Sequence, residues 1–542
     1  MATQKIVVDP LTRIEGHLRI EVEVENNKIK NAYSVSTLYR GIETILKGRD
    51  PRDAAMFTQR VCGVCTYTHS LASTRSLENA TKFDIPTNAN YIRNLVLGIQ
   101  FLHDHLVHFY HLHALDFVDV TAALKADPVK ASKLGVSTPE GLKAVQAKLQ
   151  AFVKGEQLGI FTNAYFIGGH PAYKLTPEQN LLLTSHYLDA LRMQVEIARG
   201  MALFGGKNPH PQFLIPGGVT CYEGLEPQII KHYEEIFQKA KKFINDYYLA
   251  DVLLVASVYG DCATYGGTKN LMAFGEFPIN GKIDSETAFK SGIILNQDLS
   301  KVHPFDKGKI EEHVRHSWYV GKEPHGPFDS DGGPKFTDLH GEDRYSWCKA
   351  PRYDNLVMET GPLATVVSNY AQGNEIIKKL VGAVLKATGL KPEQLFSTLG
   401  RTAARCIETV AISEMIQDWI DGYRDNIAKG DKVINFPWTN PGNAKGVGLV
   451  NAPRGGLSHW INIEEKKIAN MQLIVPTTWN CGPRDAKGLV GPVEEALIGA
   501  PVVDAARPVE ILRVVHSFDP CIACAVHVID LENNKTREFK VL

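Results

Sequence analysis

The sequence predicts a mainly α protein: one large helical domain built around a bundle of long helices, with peripheral β-hairpins and small sheets. Two patterns lead there. Apolar residues recur at helical spacing over several long stretches, whereas clear period-two alternation is confined to the N-terminal region. A third observation sets the domain count, because the 542 residues show no internal repeat and no low-complexity linker.

Taken in order, Leu18, Ile20, Val22 and Val24 alternate with Arg19, Glu21, Glu23 and Glu25, and Asn26-Asn27 turns the chain into "KIKNAYSVS". This reads as a half-exposed hairpin. From about 88 to 119 the chain has helical periodicity without an interior proline, which predicts a long, buried helix. The next begins at Thr176, with Pro177 at the first helical position and Gln179 completing a capping box, and ends at Gly205-Gly206. Further helical patterns cover roughly 226–248, 372–388 and 392–428. Between about 255 and 345, Gly, Pro, Asp and aromatic residues predict irregular segments and short strands.

Composition excludes several classes. Hydrophobic residues make up 44% and charged ones 22%, enough for a sizeable core. Lys plus Arg is 59 and Asp plus Glu is 60, a net charge of −1 with no long run of one sign, so nucleic acid and anionic lipid are poor partners. The start, "MATQKIVVDPLTRIEGH", lacks the basic and apolar regions of an export signal, and no 18-residue apolar span occurs.

Nine cysteines are an odd and sparse set, unlike a disulfide framework. Four of them form two Cys-x-x-Cys pairs, Cys62/Cys65 followed by His69 and Cys521/Cys524 followed by His527. By residue type alone these suit a structural zinc ion. Their spacing weakens that reading, since 456 positions separate Cys65 from Cys521, and closing such a loop costs ~5 kcal/mol. The fold must bring its ends together first, which favours a functional site. Asp519, ahead of the second pair, and Arg13, Glu15 and His17 in "RIEGH" add the charged groups that a proton-handling metal site needs.

With these motifs in view, the chain resembles the large subunit of nickel-iron hydrogenases. "RIEGH" (13–17), "RGIE" (40–43), "RVCGVCTYTH" (60–69), "APRG" (452–455) and "DPCIACAVH" (519–527) occur in order from one end to the other. The resemblance implies a nickel held by Cys62, Cys65, Cys521 and Cys524, with Cys65 and Cys524 bridging to an iron that carries carbon monoxide and cyanide. All four are cysteine, so a selenocysteine variant is excluded. The implied reaction is the heterolytic, reversible oxidation of dihydrogen to two protons and two electrons.

The resemblance also assigns roles. Arg454 overhangs the open metal position, with Asp104 and Asp519 holding it in place; pairing and an electrostatic role fit together. Glu15 relays a proton from Cys521, although a structural pairing with Arg13 or Arg19 suits the same residue. His69 resembles a hydrogen-bond donor to a bridging sulfur. Glu43, the backbone carbonyl of Leu473 and His527 match ligands of a magnesium-like ion. The histidine-rich helix (His103, His105, His108, His111, His113) offers possible ligands at His105 and His108, but core or interface histidines are the more usual outcome. His210 lies near the partner's cluster by resemblance, or is a loop histidine.

Electrons need an exit, and no further cysteine set for an iron-sulfur cluster is present. The resemblance supplies an iron-sulfur small subunit as heterodimer partner, whose export signal carries the pair to the periplasm and ties it to the membrane. Downstream acceptors are a membrane cytochrome b with quinone, or cytochrome c. Maturation would use nickel chaperones and an endopeptidase that cuts after His527, making 1–527 the domain and 528–542 a removable extension; a permanent solvated tail is the alternative. Competing functions are a non-catalytic scaffold, like the related quinone-site subunit of respiratory NADH dehydrogenase, and a hydrogen sensor. The scaffold relative lacks the four thiolates.

Overall fold

The computed structural model describes residues 3–158, 169–321, 323–329 and 333–522. Cys524, His527 and the extension 528–542 lie outside them. Helix outweighs strand, 48% to 17%, so the mainly α expectation holds.

At the N-terminus, β1 (Gln4–Val8), β2 (Leu18–Glu25) and β3 (Lys28–Ser36) form an antiparallel sheet in that order. Leu18, Ile20, Val22 and Val24 all face the core, and Asn26 and Asn27 take positive φ in the turn. Glu21, on the opposite face, is also buried, beneath Lys5, Arg19 and His340. Burial opposes its charge, but hydrogen bonds from those three groups hold its carboxyl below the ordinary range.

Among the long helices are α1 (Thr66–Thr81), α2 (Thr87–Val107), α3 (Pro177–Gly205), α4 (Pro227–Phe243), α5 (Glu375–Thr388) and α6 (Thr398–Ala428). Helix α2 packs against α3 and α6, and α3 against α4. Gly98 permits close approach of α2 to α6, because a Cβ there would stand 3.0 Å from Ile416 and Trp419 of α6. The Thr176–Gln179 capping box forms, and Gly206 ends α3 in the left-handed conformation.

Two helices differ from expectation where polar groups intervene. Regular winding of α2 stops at Val107 and widens into a π-helical turn, His108–His113, whose histidines reach partners on other segments. The pattern over 392–428 divides, because Ser397 caps α6 by accepting from the Gly400 N–H and leaves Pro392–Leu395 as a separate turn.

Toward the C-terminus, β4 (Ala444–Ala452), β5 (Gly455–Glu464) and β6 (Lys467–Ile474) make an antiparallel meander, with β4 lying across α1. Of the short helices that follow, α7 (Pro492–Leu497) and α8 (Val509–Ser517) pack under the N-terminal sheet. First and last segments therefore share one core.

Candidate metal centre

Cys62 sits in extended backbone after the turn Gln59–Val61, and Cys65 is the N-cap of α1. The Cys-x-x-Cys loop folds onto the first sulfur, with the N–H groups of Val64 and Cys65 donating to Cys62 Sγ at 3.2 and 3.3 Å. These donors, with the positive end of the α1 dipole at Cys65, favour thiolates.

Cys521 comes from the far end of the chain. Its Sγ lies 3.3 Å from Cys62 Sγ, too far for a disulfide (~2.05 Å) yet close enough for two sulfurs sharing one metal at ~2.3 Å each. Sulfurs of Cys62, Cys65 and Cys521 all fall within 4.8 Å of one another, and all three residues are buried. This convergence is the observation that fits a thiolate-bound metal: three soft donors in a dry pocket.

Glu15 meets Cys521 directly. The Ile522 N–H donates to the Glu15 carbonyl at 2.7 Å, pairing the two segments, and Cys521 Sγ donates to Glu15 Oε2 at 3.2 Å. Arg13 turns to Asp116 and Arg19 to Asp9 and Glu21, so the candidate structural partners of Glu15 serve other acids.

Arg454 occupies the tight link between β4 and β5. Its guanidinium lies 3.2 Å from Asp104 of α2 and 3.2 Å from Asp519, with 3% of the side chain exposed. Burial works against its charge, but Asp519, Cys521, Asp104 and Cys65 together push its pKa well above the ordinary value. It is a fixed cation beside the sulfurs.

His69 of α1 is buried. Its Nδ1 lies 3.2 Å from Nε2 of His459, whose Nδ1 is 2.8 Å from the Ser73 hydroxyl. Burial, opposed by the Cys62 thiolate, brings the His69 pKa down to about 4. Nothing in the sequence marks His459, which sits in β5 without a motif; only its face of the meander brings it to α1.

Glu43, in the short helix Ile42–Leu46, accepts from the Leu473 N–H at 2.9 Å. Burial raises its pKa, with Lys349 pulling the other way. Around it are Glu312, which receives Lys349 at 3.5 Å and Gln472 at 3.3 Å, and His325, 3.6 Å from Glu312. Sequence reasoning missed this second layer, since those residues come from separate irregular segments. A buried carboxylate, Glu312, and a partly buried one, Glu43, beside a backbone strand suit a hard divalent ion.

The remaining histidines are tied to protein groups. His105 pairs with Glu408 at 2.9 Å, His108 reaches the His516 carbonyl at 2.6 Å, and His111 the Tyr187 carbonyl at 3.3 Å. His103 bonds Asp104 and Gln194, and His113 bonds Asp116 and Thr402. These contacts fit the core reading. His210, on a positive-φ loop residue, bonds Thr66 Oγ1 at 2.8 Å next to Cys65.

Known proteins resemble this chain over nearly its whole length. A family model described as nickel-dependent hydrogenase matches residues 40–527, and one described as HoxL-like matches 5–35. The chain is 44% identical to the quinone-reactive Ni/Fe-hydrogenase large chain of Wolinella succinogenes, over 99% of this chain and 98% of that one. Against the hydrogenase-2 large chain of Escherichia coli strain K12 it is 43% identical over the whole of both. Among solved structures, the Ni-Fe-Se hydrogenase from D. vulgaris Hildenborough superposes with a TM-score of 0.80 at 34% identity, covering 97% of this chain and 100% of that one.

Proposed function

The chain belongs to the nickel-dependent hydrogenase family and is a hydrogenase catalytic subunit; we propose that it oxidises dihydrogen at the Cys62–Cys65–Cys521 cluster, with Glu15 taking the proton. The observation that carries this is the 3.2 Å contact from Cys521 Sγ to Glu15 Oε2 at the edge of three converging sulfurs. Cys62, Cys65, Cys521 and Cys524 would hold the nickel, Cys65 and Cys524 would bridge to an iron with carbon monoxide and cyanide ligands, and His69 would tune the sulfurs. When bound, the nickel-iron centre supplies the splitting of dihydrogen and takes up its electrons.

The protein's own part is proton handling and electrostatics. Cys521 Sγ holds the departing proton and passes it to Glu15 Oε2. Glu15 is half-buried and followed by the exposed Gly16 and His17, so its carboxyl spans from a dry sulfur to the surface. Arg454, clamped by Asp104 and Asp519, serves as a fixed positive charge rather than a base, because its neighbours hold its proton on. Glu43, the Leu473 backbone and His527 would hold a magnesium-like ion. A scaffold role is disfavoured by thiols set at metal-sharing distance, and a sensor role by the uptake and quinone-reactive names of the relatives.

Electrons would leave through an iron-sulfur small subunit paired with this chain in the periplasm. No helix among the described residues is long and apolar enough to cross a membrane, so membrane attachment would come through that partner, toward cytochrome b and quinone or cytochrome c. Residues 1–527 would form the mature domain, and the end of the family match at 527 supports cleavage there. An intact-mass measurement on active enzyme should show a chain ending at His527; full activity in a chain ending at Leu542 would refute obligatory removal.

The main test is Glu15→Gln. Purified variant should keep nickel and iron in equal amounts, with infrared bands from the diatomic ligands, yet lose hydrogen-isotope exchange with water by ~100-fold or more. Unchanged exchange would remove Glu15 from the relay, and zinc as the sole bound metal in the parent protein would sink the assignment.

A further inference from the structure

Behind the Glu15–Cys521 contact lies a buried carboxylate that no motif contains. Asp116, just past the π-helical turn, is fully buried. Its Oδ1 accepts from Arg13 Nη2 at 2.5 Å, and its Oδ2 from His516 Nδ1 at 2.7 Å and His113 Nδ1 at 3.1 Å. The two gripped ends then reach across. Arg13 Nη1 donates to the Leu112 carbonyl at 2.8 Å, and His516 Nε2 to the Thr12 carbonyl at 2.8 Å. Both nitrogens of His516 face oxygens, so the ring links α8 to the N-terminal segment through Asp116 and the Thr12 backbone at once.

The geometry of those two segments explains why such a grip is needed. Arg13 (φ 56°) and Asp519 (φ 55°) both adopt left-handed backbone, two residues ahead of Glu15 and Cys521 respectively. A non-glycine residue in that region costs on the order of 1 kcal/mol and persists only where its surroundings fix it. Asp116 fixes one directly, through Arg13, and the other through His516, which starts the turn leading to Asp519 by accepting its N–H at 2.9 Å. His113, Asp116 and His516 also lie within 4.8 Å of one another, but both Nδ1 atoms already bond Asp116 Oδ2, and Arg13 pairs with the other oxygen of the same carboxylate.

We infer that Asp116 is the positioning residue of the proton relay: by holding Arg13 and His516 it sets the Glu15 carboxyl at hydrogen-bond distance from the Cys521 sulfur. The inference rests on the reading of Glu15 as proton acceptor. Asp116→Asn keeps the size but has one acceptor oxygen, which can serve Arg13 or the imidazoles and not both. The variant should load nickel and iron normally, lose ~10-fold or more in isotope exchange with water, and show a larger solvent isotope effect on dihydrogen oxidation. In the Glu15→Gln/Asp116→Asn double variant the further loss should be less than ~2-fold, because both changes break one step.

A merely structural role predicts additive losses and an unchanged isotope effect, and either result in a metal-loaded variant overturns the inference. Arg13→Lys, which lacks the planar fork that reaches Leu112 and Asp116 from two separate nitrogens, should repeat the pattern more weakly and decides the matter where Asp116→Asn does not load metal. If Glu15→Gln alone leaves exchange intact, the relay itself falls and the inference with it; if Glu15→Gln slows exchange and Asp116→Asn does not, only the role of Asp116 fails.

Discussion

Single residues in this chain are governed by burial of charge. Arg454 retains its proton because the acidic groups around it outweigh its desolvation, whereas Glu494 gives up its charge because burial outweighs Arg484, 3.8 Å away, and the hydrogen bonds it receives. Glu494 accepts from the Ser34 N–H at 3.0 Å and the Tyr345 hydroxyl at 2.9 Å, tying α7 to β3. Burial still dominates these bonds and raises its pKa to about 7 from 4.5. The folded state therefore keeps a proton that the unfolded chain releases near pH 4.5. The resulting stability is complete below pH 4.5 and disappears as the pH rises to about 7, by about 3 kcal/mol at most. Glu494→Gln should flatten that slope, read as the difference between parent and variant in urea-unfolding midpoints at pH 5 and pH 8. Parallel slopes would show that Glu494 is ionised in the folded protein. None of this is visible in the sequence, where Glu494 is one glutamate among many; the clustered cysteines and Arg454 were legible because each stands in a motif.

Elements position the site through close backbone contact. Helix α1 begins at Cys65, and the glycines of β4 let the strand lie directly on it. A Cβ on Gly448 would stand 1.8 Å from the Ala72 carbonyl, and one on Gly446 2.1 Å from the Ser76 carbonyl. Neither contact can be relieved by turning a side chain, so the helix or the strand must move. Gly448→Ala should accordingly cost ~2 kcal/mol or more and lower nickel content in whatever protein folds, because displacement of α1 carries Cys65 with it. Normal nickel content together with unchanged thermal stability would show that α1 is set by its other contacts. The sequence made α3 legible to the residue, since its cap and stop are local signals. It did not reveal the π-helical turn after Val107, which depends on distant partners, or the break before Thr398, where Ser397 caps α6.

At the scale of the whole molecule, the site is a junction of chain ends. Glu15 and Cys521 are 506 residues apart, and β1 to β3 pack with α7 and α8 in one apolar core of Leu18, Ile20, Val22, Leu497, Val509 and Leu512. The spacing of the cysteine pairs already implied that the fold closes this loop before any metal does; which surfaces close it could not be read, because a shared core has no sequence signature. Closing the loop costs ~5 kcal/mol, and full burial of one large apolar side chain returns about 1.5 to 3 kcal/mol, so the six core residues just named outweigh the closure without help from thiolates. Protein made without nickel should consequently keep its helical circular-dichroism signal and melt cooperatively, losing only the increment that ligand binding adds to a preformed fold. A small thiolate zinc domain behaves in the opposite way and unfolds when its ion is removed. Loss of the helical signal in nickel-free protein would mean that the metal organises the fold and that the meeting of the two ends follows from the site rather than producing it.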